Sequence, residues 1–173
     1  RMSFEEAGKI LGSDVINVSG SGSSVEKGES LVNTAKTIEA MNVDVVIIRH
    51  PHSGAPYILA EQFAHASVIN AGDGTHAHPT QALLDMFTIL EHVKTIEGLK
   101  IAIVGDIIHS RVARSNIHGF LKLGADVWLT GPSTLLPNTT PWLKYYESEG
   151  SLTLTTNLDE ALKDADVVMT LRM

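Results

Sequence analysis

The sequence contains no cysteine, which excludes a disulfide framework and any thiolate metal site. Its apolar runs are short, and none reaches the roughly eighteen residues that a membrane-spanning helix needs. No signal-peptide pattern is visible, so the expected location is the cytoplasm. Positive charge is scarce: 13 Lys and Arg stand against 20 Asp and Glu, for a formal net charge of −7. That balance argues against a nucleic-acid binder, which carries a basic patch and a high pI. It does not argue against small anionic ligands, because a few local arginines decide that. Glycine is missing where a dinucleotide site would need it. Ile101-Ala102-Ile103-Val104-Gly105-Asp106 ends a buried strand, but Asp106-Ile107-Ile108-His109-Ser110-Arg111 follows, without the second and third glycines that let backbone approach a pyrophosphate.

What is present is a soluble, globular composition, 43% hydrophobic and 19% charged over 173 residues. That length buries one ordinary core or two small ones. Short apolar runs alternate with helical patterns throughout, the mark of βαβ units and a parallel sheet. Strands are predicted at Asp14–Ser19, Asp44–Arg49, Ser67–Ala71, Lys100–Val104, Asp126–Thr130, Leu152–Thr155 and Val167–Leu171. Helices are predicted at Ser3–Leu11, Glu29–Met41, Ile58–His65, Pro79–Val93, Arg111–Leu123, Pro141–Glu149 and Leu158–Asp164. Lys94–Gly98 has little apolar periodicity and reads as a boundary. The expected fold is α/β, two doubly wound parallel-sheet subdomains joined by the Pro79 helix. Residues 1–78 form the first part, 79–98 the connecting helix and linker, and 99–173 the second part.

The most informative run lies between Asn70 and Leu84. A glycine-rich turn, Ala71-Gly72-Asp73-Gly74, leads through His76 and His78 into Pro79, which suits the first helical position. Leu83, Met86, Phe87, Leu90 and Val93 follow at helical spacing and predict one buried face. His78 and Gln81 thus fall on a helix N-terminus, where free N–H groups and a positive dipole end favour anions. Arg49 ends a Val/Ile strand at the carboxyl edge where parallel sheets bind ligands. An arginine there either pairs with a nearby carboxylate or grips phosphate or a carbonyl oxygen. Arg111 opens a helix, where a cation opposes the dipole; Arg114 and His118 follow on its polar side, and the ordinary reading of all three is a solvated face. His50–His52 and His76–His78 share a spacing, but no thiolate or convergent carboxylate completes a zinc set, and no metal is expected.

These motifs together resemble the aspartate carbamoyltransferase family, in order and along the whole chain. The resemblance rests on Arg1-Met2-Ser3-Phe4-Glu5, Ser23-Ser24-Val25-Glu26-Lys27-Gly28-Glu29-Ser30, Arg49-His50-Pro51, His78-Pro79-Thr80-Gln81, Gly105-Asp106 with His109-Ser110-Arg111, and Leu171-Arg172-Met173. The His-Ser-Arg-Val-Ala-Arg-Ser run from His109 separates it from the ornithine carbamoyltransferase pattern. The resemblance implies carbamoyl transfer from carbamoyl phosphate to the amine of L-aspartate, with no cofactor. Arg49 and His78 would be catalytic. Ser23, Arg49, His78 and Gln81 would bind carbamoyl phosphate, and Lys27, Arg111 and Arg172 would bind aspartate. Ser23 and Lys27 would reach a neighbouring subunit's site, implying a homotrimer. Residues 1–78 would be the carbamoyl-phosphate part and 99–173 the aspartate part. Some members of the family associate with regulatory chains or dihydroorotase, and nothing in the sequence chooses between them. The family's Ser-Thr-Arg-Thr segment before Arg1 and its glutamine and Pro-Leu contacts beyond Met173 are absent, so an incomplete enzyme is the expectation. A non-catalytic α/β binding or scaffolding fragment is the alternative, as is a carbamoyltransferase acting on another amino acid such as ornithine.

Overall fold

The computed structural model describes residues 2–18, 30–137 and 149–172. It divides into two compact units, Arg1–Asp44 with Ile58–Ser67, and Val45–Tyr57 with Val68–Met173. The first unit carries helices α1 (Met2–Ile10) and α2 (Leu31–Glu39). Ser30 caps α2 by accepting the Asn33 N–H on its hydroxyl at 3.2 Å, satisfying one of the free donors of the first turn.

The second unit begins with β1 (Val45–His50), which pairs with β2 (Ser67–Asp73). Helix α3 (Ala55–Ala60) lies between them in sequence. Helix α4 (Pro79–His92) follows, then β3 (Lys100–Val104), α5 (Arg111–Lys122), β4 (Asp126–Thr130), β5 (Ser151–Thr155), α6 (Leu158–Leu162) and β6 (Val167–Thr170). The last four strands form one parallel sheet in the order β5-β4-β3-β6. The strand order carries the chain outward from β3 to β5, then back past β3 to β6. The winding therefore reverses between β3 and β6, and ligands of open α/β sheets bind outside the carboxyl ends at such a reversal.

The core lies between this sheet and α5. Ile101, Ile103, Val127 and Leu129 from the strands meet Ile117, Phe120 and Leu121 from the helix, all buried. The three central residues of β3, Ile101, Ala102 and Ile103, are all buried, which is why that strand reads from sequence as a continuous apolar run: both faces of the sheet are covered there.

Three expectations need correction. Residues 14–18 form no strand, because a strand needs a ladder partner and none pairs with them among the described residues. Helix α3 starts at Ala55 and stops at Ala60 rather than spanning Ile58–His65. The buried side of α4 is Ala82 with Met86 and Ile89, whereas Leu83 and Phe87 are 65% and 59% exposed. Helix α4 packs on α5 through Met86, which occupies the space that a side chain at Gly119 would take, and that contact selects the stripe that is buried. The expected Pro141–Glu149 helix lies, apart from its last residue, outside the described residues.

Candidate functional site

Two loops at the carboxyl ends of β1 and β2 are bound together by one carboxylate. Asp73 is fully buried, and its Oδ2 accepts the Gly54 N–H at 2.7 Å while Oδ1 accepts from Asn70 Nδ2 at 2.8 Å. His76 Nδ1 lies 3.1 Å from the same carboxylate. Burial opposes the charge on Asp73, yet the Asn70 and Gly54 bonds and the neighbouring His76 outweigh it and hold the carboxyl below its usual range. The His50 carbonyl accepts the Gly74 N–H at 2.9 Å, so the residue after Arg49 is tied to the turn before His78. Gly74 is required there: a Cβ would stand 2.7 Å from the Ser53 backbone nitrogen.

That turn delivers His78 as the N-cap of α4, with Pro79 at the first helical position. The imidazole itself is the cap. Its Nδ1 accepts the Gln81 backbone N–H at 3.3 Å, while the His78 backbone N–H donates to Ser115 Oγ at 2.8 Å. An Nδ1 that accepts leaves the ring proton on Nε2. Burial, then the positive charges of Arg111 and Arg49, hold the His78 pKa below its ordinary value. His78 is thus a neutral imidazole whose Nε2 is an N–H donor.

Arg111 is half-buried rather than spread on a solvated face, and its Nη1 donates to the Gly74 carbonyl at 3.0 Å. Burial and the charge of Arg49 both depress its pKa, with Asp73 opposing. Arg49 and Arg111 make no ion pair among the described residues. Two cations that disfavour one another beside a neutral donor form a place where an anion relieves the repulsion. Gly72 makes the convergence possible. At φ +114° it carries no side chain, and a Cβ would come within 3.2 Å of both the Arg111 guanidinium carbon and His78 Cδ2.

Beyond Arg111 a cavity of about 640 Å³ opens at the carboxyl ends of β3 and β6, lined among others by Gly74, Asp106, His109, Arg111, Leu171 and Arg172. It lies at the reversal of winding that the strand order creates. Arg111 and Arg172 therefore share one cavity wall although 61 positions separate them in the sequence. Asp106 receives His109 Nδ1 at 2.9 Å on its rim. Gln81 stands one helical turn inside His78, its Nε2 donating to Asp85 Oδ1 at 2.9 Å. Ser23 and Lys27 lie outside the described residues.

The geometry has a counterpart in sequence. The profile described as the aspartate/ornithine carbamoyltransferase carbamoyl-P binding domain matches residues 1–91, and that of the Asp/Orn binding domain of the same enzymes matches residues 97–173. The chain belongs to the aspartate/ornithine carbamoyltransferase family. Among curated relatives, the aspartate carbamoyltransferase catalytic subunit of Roseiflexus sp. is 57% identical over all of this chain and 53% of its own length. That of Ruminiclostridium cellulolyticum is 56% identical over the same shares. The chain spans about half the length of the curated relatives it matches. Among solved structures, the aspartate transcarbamoylase of Trypanosoma cruzi in complex with aspartate and phosphate superposes with a TM-score of 0.89 at 32% identity, covering 99% of this chain and 57% of that one. The same enzyme with carbamoyl phosphate and aspartate gives 0.86 at 30% identity, over 99% and 59%.

Sequence reading picked out His78, Gln81, Arg49, Arg111 and Arg172 but passed over Gly72, Asp73, Asp85 and Ser115. A glycine between Ala71 and a carboxylate, directly before the histidines, is the signal that was available for Gly72 and Asp73. Asp85 has the i,i+4 spacing to Gln81 as a local signal, whereas its link to Asn116 and that of Ser115 to His78 span long stretches of sequence.

Proposed function

We propose that this chain carries the site at which an aspartate carbamoyltransferase moves the carbamoyl group of carbamoyl phosphate to the amine of L-aspartate, releasing phosphate. The observation that carries this reading is the neutral His78, its Nδ1 occupied by the Gln81 N–H and its ring within the field of both Arg49 and Arg111. In the proposed reaction the aspartate nitrogen attacks the carbamoyl carbon, and negative charge grows on the carbamoyl oxygen. His78 Nε2–H and the Arg49 guanidinium stabilise that charge, and such preorganised donors contribute most where water is excluded. Gln81 holds the carbamoyl nitrogen. Arg111 and Arg172, on one cavity wall, take the two aspartate carboxylates, each charge-assisted bond contributing about 1.5–3 kcal/mol. Much of the acceleration is then positioning. The leaving phosphate accepts the proton lost by the amine, so no protein base is needed.

On this reading residues 1–78 form the carbamoyl-phosphate part, 79–98 the connecting helix and linker, and 99–173 the aspartate part. Ser23 and Lys27 complete a neighbour's site in a homotrimer, and a cytoplasmic location goes with that role. Relatives named for aspartate, and a Trypanosoma cruzi enzyme solved with carbamoyl phosphate and aspartate, support aspartate over ornithine. The test is an initial-rate assay on the longest natural polypeptide that carries this sequence, with carbamoyl phosphate and either amino acid. Carbamoylaspartate and phosphate in equal amounts, with no citrulline, are expected. Citrulline formation, or no ureido product from either amino acid, would overturn the assignment.

A further inference from the structure

Gln81 can perform its proposed role in only one of two orientations. Its amide has a donor end and an acceptor end of nearly equal size, and only the carbonyl end suits a carbamoyl NH₂. We propose that Asp85 is the positioning residue that decides between them. This rests on the carbamoyl-transfer reading of the site.

Asp85 lies one turn after Gln81 on α4, so the two side chains share a face. Its Oδ1 accepts from Gln81 Nε2 at 2.9 Å, and its Oδ2 accepts from Asn116 Nδ2 on α5 at 2.7 Å. Asn116 is fully buried and also donates to the Val112 carbonyl at 3.2 Å. Both protons of the Asn116 amide are thereby committed, which fixes the carboxylate from behind. An ionised carboxylate only accepts hydrogen bonds. Gln81 must therefore turn its NH₂ toward Asp85, and Oε1 is the end left for the ligand. Asp85 thereby links the Gln81 amide, through Asn116, to α5, the helix that begins with Arg111.

Asp85→Asn tests this with almost no change of shape. Asn116 keeps its two donors on the Val112 carbonyl and on the oxygen of the new amide. The new NH₂ then faces Gln81 and reverses it, setting donor against donor at the carbamoyl nitrogen. In the longest natural polypeptide, kcat/KM for carbamoyl phosphate should fall ten- to a hundredfold, with the aspartate KM changed less than twofold. Asp85→Glu, still acceptor-only, should recover most of the loss, and it reports instead should Asp85→Asn fail to fold. In a Gln81→Ala background Asp85→Asn should cost nothing more, whereas a merely structural role would persist undiminished there. Full activity of Asp85→Asn, or an undiminished loss in the Gln81→Ala background, would overturn the proposal. Should the wild-type protein form no carbamoylaspartate, the functional reading falls by itself. The side-chain amide of Gln81, followed by NMR, then still judges the orientation: exchange-protected in the wild type and exposed in Asp85→Asn if Asp85 holds it, unchanged between the two if it does not.

Discussion

Gly72→Ala is the smallest change that should damage both halves of the site at once. Two separable costs follow from its surroundings. The backbone sits at φ +114°, a region that L side chains rarely adopt, and holding an alanine there costs about 1–3 kcal/mol. At about 2–4 °C per kcal/mol for a chain of this size, the melting temperature should fall by about 2–12 °C. The added methyl also stands 3.2 Å from Arg111 Cζ and from His78 Cδ2, so each group must move by a few tenths of an ångström. Catalytic misplacement costs about 10²-fold per ångström, which scales to a loss of about four- to tenfold in turnover. Gly98→Ala provides the control. It has φ +76° with nothing within 4 Å of the new Cβ, so it should lose stability and keep full turnover. Thermal melts and steady-state kinetics on both variants separate the terms. A Gly72→Ala protein with unaltered turnover, or a Gly98→Ala protein that loses turnover to the same degree, would refute the claim that Gly72 makes room for the site.

Three further outcomes are expected. Arg111→Ala should raise the aspartate KM and lower turnover; because removing a nearby cation favours protonation, the His78 pKa should also rise toward its ordinary value, shifting the acid limb of the pH–rate profile upward. Asp73→Asn should destabilise by about 2–3 kcal/mol, since a neutral amide cannot accept three donors as the carboxylate does. The Asp73 pKa is lowered by folding, so its contribution is present above about pH 3.9 and lost as pH falls through the folded value; chemical denaturation at several pH values measures both. Lys27→Ala and His78→Ala proteins, each nearly inactive, should recover roughly a quarter of all sites when mixed and reassembled as trimers, and no recovery despite confirmed subunit exchange would remove the shared site.

The sequence made visible what depends on local pattern. The bounds of β3 and β4 followed from buried apolar runs, and Pro79 marked the start of α4. Arg49, His78 and Arg111 stood out as polar groups at element ends, where a parallel sheet presents ligand sites. What stayed hidden depends on contacts across the chain. Asp73 reaches 19 positions back to Gly54, and Asp85 reaches 31 forward to Asn116, so these long-range links have no spacing to recognise. The buried stripe of α4 was misread for the same reason. Leu83 and Phe87 are as apolar as Met86, and only the close approach of Gly119 on α5 selects Met86. Residues 14–18 looked like a strand because Val15, Ile16 and Val18 have the composition of one, and composition does not supply a ladder partner.

Everything proposed for the site depends on His78 acting as a neutral donor with its proton on Nε2. The ¹⁵N shifts of its two ring nitrogens, followed from about pH 6.5 to 8.5 with and without carbamoyl phosphate, test this most directly. The folded pKa lies below the ordinary value of about 6.5, so the neutral ring should predominate across that window. Nδ1 should show the shift of an unprotonated acceptor and Nε2 that of a protonated donor, with carbamoyl phosphate moving the Nε2–H signal downfield. A ring that is mostly imidazolium in that window, a proton on Nδ1 of the neutral form, or an Nε2 signal indifferent to carbamoyl phosphate would contradict the assignment.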